Sequence, residues 1–471
     1  MSRFEIDYFL LFFLGTIFLW LVFNYTLRNY YSKVTLIVFT IGFSVYSGVG
    51  ITYEAVDKSY LWSYFLYFLA FCIVFVFISG KSKISKDKNY SLVDRLVIRN
   101  WRIFKFIGLT HIIIMLILLI YPRFHLFDIV MPWKLLINYE KMNIFQQRIA
   151  NQGNPILVLL GYAKVLTRPF YFIYLYRFRD KPIKIIIFVL IPFYLDIVAK
   201  SSLGRDDFIL PILIILFYLY FERYITKKML LAIVFILALI AIPFFDAIYY
   251  LRKGEDFSNI GLSKSLSNLI QQETSYPYYY NVANQVNGNL TPSDYFQWLL
   301  TLPIPDIFLF GYKPPLVNEI YTYYRLGLVM GDPGYYIVVP SWLGEAFMFF
   351  GIEFSWILGL INGTLIGFFI LFFRENKTLK FWFLYFIVDL GRYLRSVSQE
   401  FIAQNINGSL LFFFMIILLL IFQKGVTTKS GLLNAPKSCK KSHNNKGFGI
   451  CLPKSYAKES SENSPKSLQM E

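Results

Sequence analysis

The chain has 471 residues, of which 56% are hydrophobic and only 16% charged, at a mean hydropathy of +0.52; this excludes the soluble globular classes. A net charge of +17 does not point to nucleic acid, because the basic residues are interleaved with long apolar runs instead of gathering on one polar domain. Three cysteines, Cys72, Cys439 and Cys451, cannot build a disulfide framework, and the lack of a CxxC pair or Cys/His cluster leaves metal and redox chemistry without support.

A membrane helix needs about 20 apolar residues to cross about 30 Å of hydrocarbon, since unpaired backbone groups cannot be left in lipid. Such runs fall near residues 8–25, 34–51, 60–79, 104–121, 155–176, 185–199, 207–221, 229–248, 354–373, 381–395 and 409–423. They predict an all-α polytopic membrane protein of about eleven spans, within a range of ten to twelve. The sixth, seventh, tenth and eleventh are short, and the tenth carries Asp389, Arg392 and Arg395. The first span lacks a basic leading region and a small-residue cleavage site, so it reads as a retained helix and not a removable signal.

Basic residues are held on the cytoplasmic side of short loops. One alternating set of connections carries nineteen Lys and Arg, among them Arg28, Lys81, Arg99, Arg177, Lys184, Lys228 and Lys380, against seven in the other set. The N-terminus is therefore expected outside and the C-terminus in the cytoplasm. Residues 424–471 hold nine Lys and three Glu among many Ser and Asn, which reads as a basic, disordered cytoplasmic tail.

Four regions follow: spans one to eight over 1–248, an outer loop over 249–353, spans nine to eleven over 354–423, and the tail. A loop of about 100 residues is far longer than the connections of a helix bundle, so function is sought there. Within it, 257–272 has the pattern of a short amphipathic surface helix. The stretch Tyr276 to Tyr280 follows, and Tyr278, Tyr279 and Tyr280 are candidate glycan-stacking rings; interfacial anchoring accounts equally for them.

Charges beside or within spans are the best pointers to chemistry. Lys200 to Asp207 places Arg205 at the head of a helix, where a planar fork and free N–H groups suit a phosphate; the alternative is a surface pair with Asp206 or Asp207. Arg252 and Arg325 lie on the same predicted side and are candidate second and third cations, or interfacial side chains. Arg392 and Arg395, three apart on one helical face, either line the same site or pair with Asp389 and Glu400. Glu345 stands alone in the apolar run from Pro340 to Gly351, where desolvation would raise its pKa and suit it to general-base work, or else it partners an arginine. Asp196, Asp246 and Asp389 either contribute to the cavity or hydrogen-bond inside the bundle, and Lys164 and Arg168, four apart in the fifth span, likewise either line the site or pair within the bundle. His111 and His125 are isolated, and no P-loop, GxGxxG or GxSxG motif is present.

The arrangement resembles the Wzy-type O-antigen and capsule polymerases, which join oligosaccharide repeat units. Ser202-Leu-Gly-Arg205 is similar to that family's small-residue-plus-arginine turn, Leu302-Pro-Ile-Pro305 through Lys313-Pro314 to its proline stretch, and Pro340 through Gly344-Glu345 to Phe350-Gly351 to its Glu and Phe-Gly segment. The likeness covers about residues 195–370 in motif and the membrane region in layout. It implies transfer of a glycan from undecaprenyl diphosphate to the next lipid-linked repeat unit at the outer face of the cytoplasmic membrane, with no cofactor or metal. Membrane lipid and a chain-length regulator are the further partners implied, and nucleic acid is not. Carried over, Arg205, Arg252 and Arg325 would hold the diphosphate, with Arg392 and Arg395 as further candidates, and Glu345 would be the base or orienting carboxylate. The sequence departs from the signature of some members, an arginine with glycine eleven positions later: Leu216, Ser263 and Tyr336 occupy those positions. A flippase for lipid-linked sugars and an O-antigen ligase are the competing readings.

Overall fold

The computed structural model describes residues 4–80, 91–121, 129–130, 154–200, 205–253, 262–302, 304, 316–330, 332 and 335–430. Among these the chain is helical, and the only extended pairing is a single bridge between Phe4 and Tyr53. The chain divides into two compact units, Met1–Leu419 and Leu420–Glu471.

The first unit opens with α1 (Ile6–Thr26), α2 (Tyr30–Phe43), α3 (Tyr60–Gly80), α4 (Leu92–Arg99) and α5 (Trp101–Leu118). There follow α6 (Pro155–Leu175), α7 (Pro182–Lys200), α8 (Arg205–Phe221) and α9 (Lys227–Lys253). Capping chemistry sets several starts. Asn29 accepts from Tyr31 N at 2.9 Å ahead of α2, and Asn154 accepts from Ile156 N and Leu157 N ahead of α6, whose first residue is Pro155; each satisfies donors that no preceding turn can reach.

Nine helices among the described residues are long and apolar enough to span a membrane: α1, α2 with its extension to Thr52, α3, α5, α6 continuing to Phe178, α7, α9, α15 (Trp356–Glu375) and α17 (Ser398–Ser430). The predicted seventh and tenth spans fall on shorter helices, α8, apolar over Phe208–Phe221, and α16 (Lys380–Tyr393). Large apolar side chains stand exposed along these helices, Phe18 at 65% and Phe235 at 64% among them. A water-facing surface would bury such side chains, so their solvent is the bilayer.

Helices in lipid gain little from hydrophobic burial against each other and associate by close packing. The most extensive pair is α3 with α15. Gly359 and Gly363 of α15 face the α3 backbone so closely that a Cβ on either would lie 2.6 Å from Tyr67 O or 2.5 Å from Phe71 O. Rings fill the neighbouring layer: Phe39 of α2 stacks on Phe71 of α3 at 3.5 Å between centroids, and Phe43 lies against Tyr64 and Tyr67.

Between α9 and α15 the described residues form four short helices, α10 (Leu262–Glu273), α11 (Tyr280–Val286), α12 (Pro292–Thr301) and α13 (Val317–Leu326), and then α14 (Ser341–Phe354). α9 runs to Lys253, across the expected loop start at 249. The amphipathic segment predicted over 257–272 is helical over Leu262–Glu273, with Leu266 and Ile270 exposed; residues 257–261 lie outside the described residues. α14 is buried over Ser341 to Phe350 and is broken at Gly351, whose φ of 73° is left-handed backbone that glycine adopts without a Cβ clash.

Candidate functional site

A cavity of about 490 Å³ lies where the loop helices meet the turn between α16 and α17, a size in the range of about 300–1,000 Å³ usual for ligand sites. Its wall comes from the end of α10 and the turn after it (Gln272, Ser275, Tyr276, Tyr279), from Arg325 in the last turn of α13, and from the segment Tyr336 to Val339. The other side is Arg392, Tyr393, Arg395, Ser396 and Glu400.

Each element is held in place by a specific contact. α13 ends at Gly327 in the left-handed region, which closes the last turn while Arg325 sits favourably at the helix's negative end. The wall segment is tied to α13 by Val338 N donating to Thr322 Oγ1 at 2.9 Å. Trp342 Nε1 donates to Tyr393 O at 2.7 Å, fastening α14 to the end of α16.

The structure therefore brings Arg325, Arg392 and Arg395 to one cavity. The Arg325 guanidinium covers the Tyr279 ring, 3.3 Å from its centroid, a cation–π contact that holds the charge over the cavity wall. Arg395 Nε lies 2.9 Å from Glu273 Oε2 and donates to Tyr276 Oη at 2.8 Å. Its carboxylate partner is thus Glu273 at the end of α10 and not the nearer residues in sequence. The Arg392 guanidinium lies 5.2 Å from the Tyr393 ring centroid.

The remaining predicted site residues are placed as follows. Arg205 heads α8 and Arg252 is the penultimate residue of α9; both side chains lie outside the described residues. Tyr279 lines the cavity, whereas Tyr278 stacks on Tyr53 at 5.5 Å and Tyr280 is buried, its hydroxyl donating to Ser47 O at 3.0 Å and touching Ser341 Oγ.

Glu345 is fully buried behind the cavity and is absent from its lining. Its two carboxyl oxygens accept from Ser398 N and from Gln399 N, the latter at 3.2 Å, so it caps the first turn of α17. Burial pushes this carboxyl up to about 8, against the pull of the Ser398 and Gln399 donors.

The charges on the span helices find partners inside the protein. Lys164 pairs with Asp196. Arg168 donates to Tyr385 Oη and, at 3.1 Å, to Gln404 Oε1, with its guanidinium over the Tyr385 ring. His111 Nδ1 lies 3.1 Å from Thr167 Oγ1, and Asp246 accepts from Ser265 Oγ at 2.6 Å. His125 lies outside the described residues. No group of three or more His, Cys, Asp or Glu gathers as a metal site among the described residues.

Sequence reasoning passed over Glu273, Tyr336, Ser396 and the cavity-facing position of Glu400. The visible signal for Glu400 was its place at the start of an apolar run close behind two arginines. Chemically the arrangement offers three planar cations, aromatic faces and one carboxylate in a single recess, which suits an anionic phosphate attached to a ring-bearing polar group. No family model, no curated protein and no solved structure matches the chain.

Proposed function

We propose that this chain is a membrane glycosyltransferase that polymerises oligosaccharide repeat units carried on undecaprenyl diphosphate, at the outer face of the cytoplasmic membrane, into O-antigen or capsular polysaccharide. The observation that carries the reading is the convergence of Arg325, Arg392 and Arg395 with Tyr276, Tyr279 and Tyr336 on one cavity beside a bundle of membrane-length helices. Bidentate guanidinium forks stabilise the diphosphate as it leaves with negative charge, and the tyrosine rings stack on sugar faces while their hydroxyls hydrogen-bond. Arg205 and Arg252 keep their place in the reading as further diphosphate cations. Glu345 contributes by seating the first turn of α17, which carries one wall of the cavity.

The test is a gel of surface polysaccharide from a strain lacking the gene, with and without the gene restored. A single repeat unit on the surface lipid, returning to a ladder on complementation, is the expected result. Normal long chains in the deletion strain would overturn the reading, and complete loss of surface glycan would replace it with a flippase or a ligase.

A further inference from the structure

The reaction above also needs a group that takes the acceptor's proton, and the cavity contains a carboxylate that none of the preceding roles uses. We propose that Glu400, with Ser396 and Asn318 as its supports, forms the acceptor end of the cavity and deprotonates a hydroxyl of the incoming sugar. The inference rests on the functional reading above.

Among the described acidic residues, Glu400 alone lines the cavity that holds Arg325, Arg392 and Arg395. Three others are placed for other tasks: Glu273 is joined to Arg395, both oxygens of Glu345 are taken by the α17 backbone, and Asp389 is buried within α16. Glu400 is partly exposed, so a ligand can reach it. It is nevertheless fixed, with Oε1 accepting from Asn318 Nδ2 at 2.7 Å and Oε2 from Ser396 Oγ at 2.8 Å. A carboxylate oxygen accepts about two hydrogen bonds, so each retains room for one further donor.

Asn318 is buried and its Oδ1 has no hydrogen-bond partner among the described residues. Burial of the Asn318 side chain holds its amide donor in place against Glu400.

In the step, the acceptor O–H proton passes to Glu400 as the hydroxyl oxygen bonds to the anomeric carbon of the donor. The bond from that carbon to the diphosphate oxygen breaks with its electron pair going to the diphosphate, whose charge the three arginines balance. Glu400 then releases the proton to water and returns to the carboxylate.

The experiment uses the purified full-length chain in lipid vesicles, supplied with lipid-linked repeat units extracted from the deletion strain, and follows chain extension against substrate concentration. Glu400→Gln keeps the shape and an oxygen for Asn318 but cannot accept the proton; kcat is expected to fall about 100-fold or more with KM little changed. Glu400→Asp, which withdraws the carboxylate by one methylene, is expected to be slowed by about tenfold or more and decides the matter if the glutamine variant does not fold. Extension at the normal rate by a folded variant overturns the inference alone. Failure of the unmodified chain to extend the extracted units overturns the functional reading, and this inference with it.

Discussion

Arg395 Nε donates to Tyr276 Oη and lies 2.9 Å from Glu273 Oε2. A guanidinium can hold a structural carboxylate on one edge and present a fork on another; an ammonium has a single compact donor head and cannot do both. Arg395→Lys is therefore expected to lose about 2 kcal/mol of transition-state binding, roughly thirtyfold in chain-extension rate, at normal protein level. A ladder of unchanged length in that variant would show that charge alone suffices. The type of residue at this position was legible from the sequence, as an arginine close to an apolar run. Its partner was not, because Glu273 and Arg395 are separated by 122 positions and meet only through the packing of α10 beside the α16–α17 turn.

At the scale of the element, α17 depends on a capping carboxyl supplied by another helix. Glu345 has an ordinary value of 4.5 and sits at about 8 in the fold, so between those values the folded chain binds more protons than the unfolded one. Stability contributed by this group is accordingly present at low pH and declines as pH rises from about 4.5 to about 8. Melting midpoints measured across that window are expected to fall with rising pH, and Glu345→Gln is expected to flatten this slope. A slope identical in the two proteins would assign the pH dependence to other groups. The sequence showed that Glu345 would be desolvated, since its neighbours are apolar. Whether its lone pairs faced a substrate or a helix end depended on where Ser398 and Gln399 were placed, 53 and 54 positions away.

A second prediction belongs to the α3–α15 pair. Because a Cβ at 363 would lie 2.5 Å from the Phe71 carbonyl oxygen, Gly363→Ala forces two backbones apart along their closest approach. It is expected to destabilise the purified protein by about 1–3 kcal/mol, read as a lowered melting midpoint. An unshifted midpoint would mean that the helices separate freely at this level.

For the whole molecule, the sequence orientation predicts which faces of the chain meet which compartment. With the native cysteines replaced, a cysteine at Leu300, which is 78% exposed on α12, is expected to react with an impermeant thiol reagent in intact cells. One at Asp180, between α6 and α7, is expected to react only after the membrane is opened. The reverse pattern would invert the topology and move the arginine cavity to the cytoplasmic side, where the proposed reaction does not occur.

Sequence alone determined that this is a helical membrane protein, because the length and apolarity of a run are local properties and lipid leaves the backbone no alternative but to satisfy its own hydrogen bonds. It also singled out the charges worth following, since each is costly near hydrocarbon. Only the tertiary structure decided which of them share a cavity. Arg325, Arg392, Arg395 and Glu400 converge there, while Glu345, Tyr280 and Arg168 are taken up by helix ends, serines and amides. A charge's partner is set by which helices pack together, and that contact is made by side chains far apart along the chain.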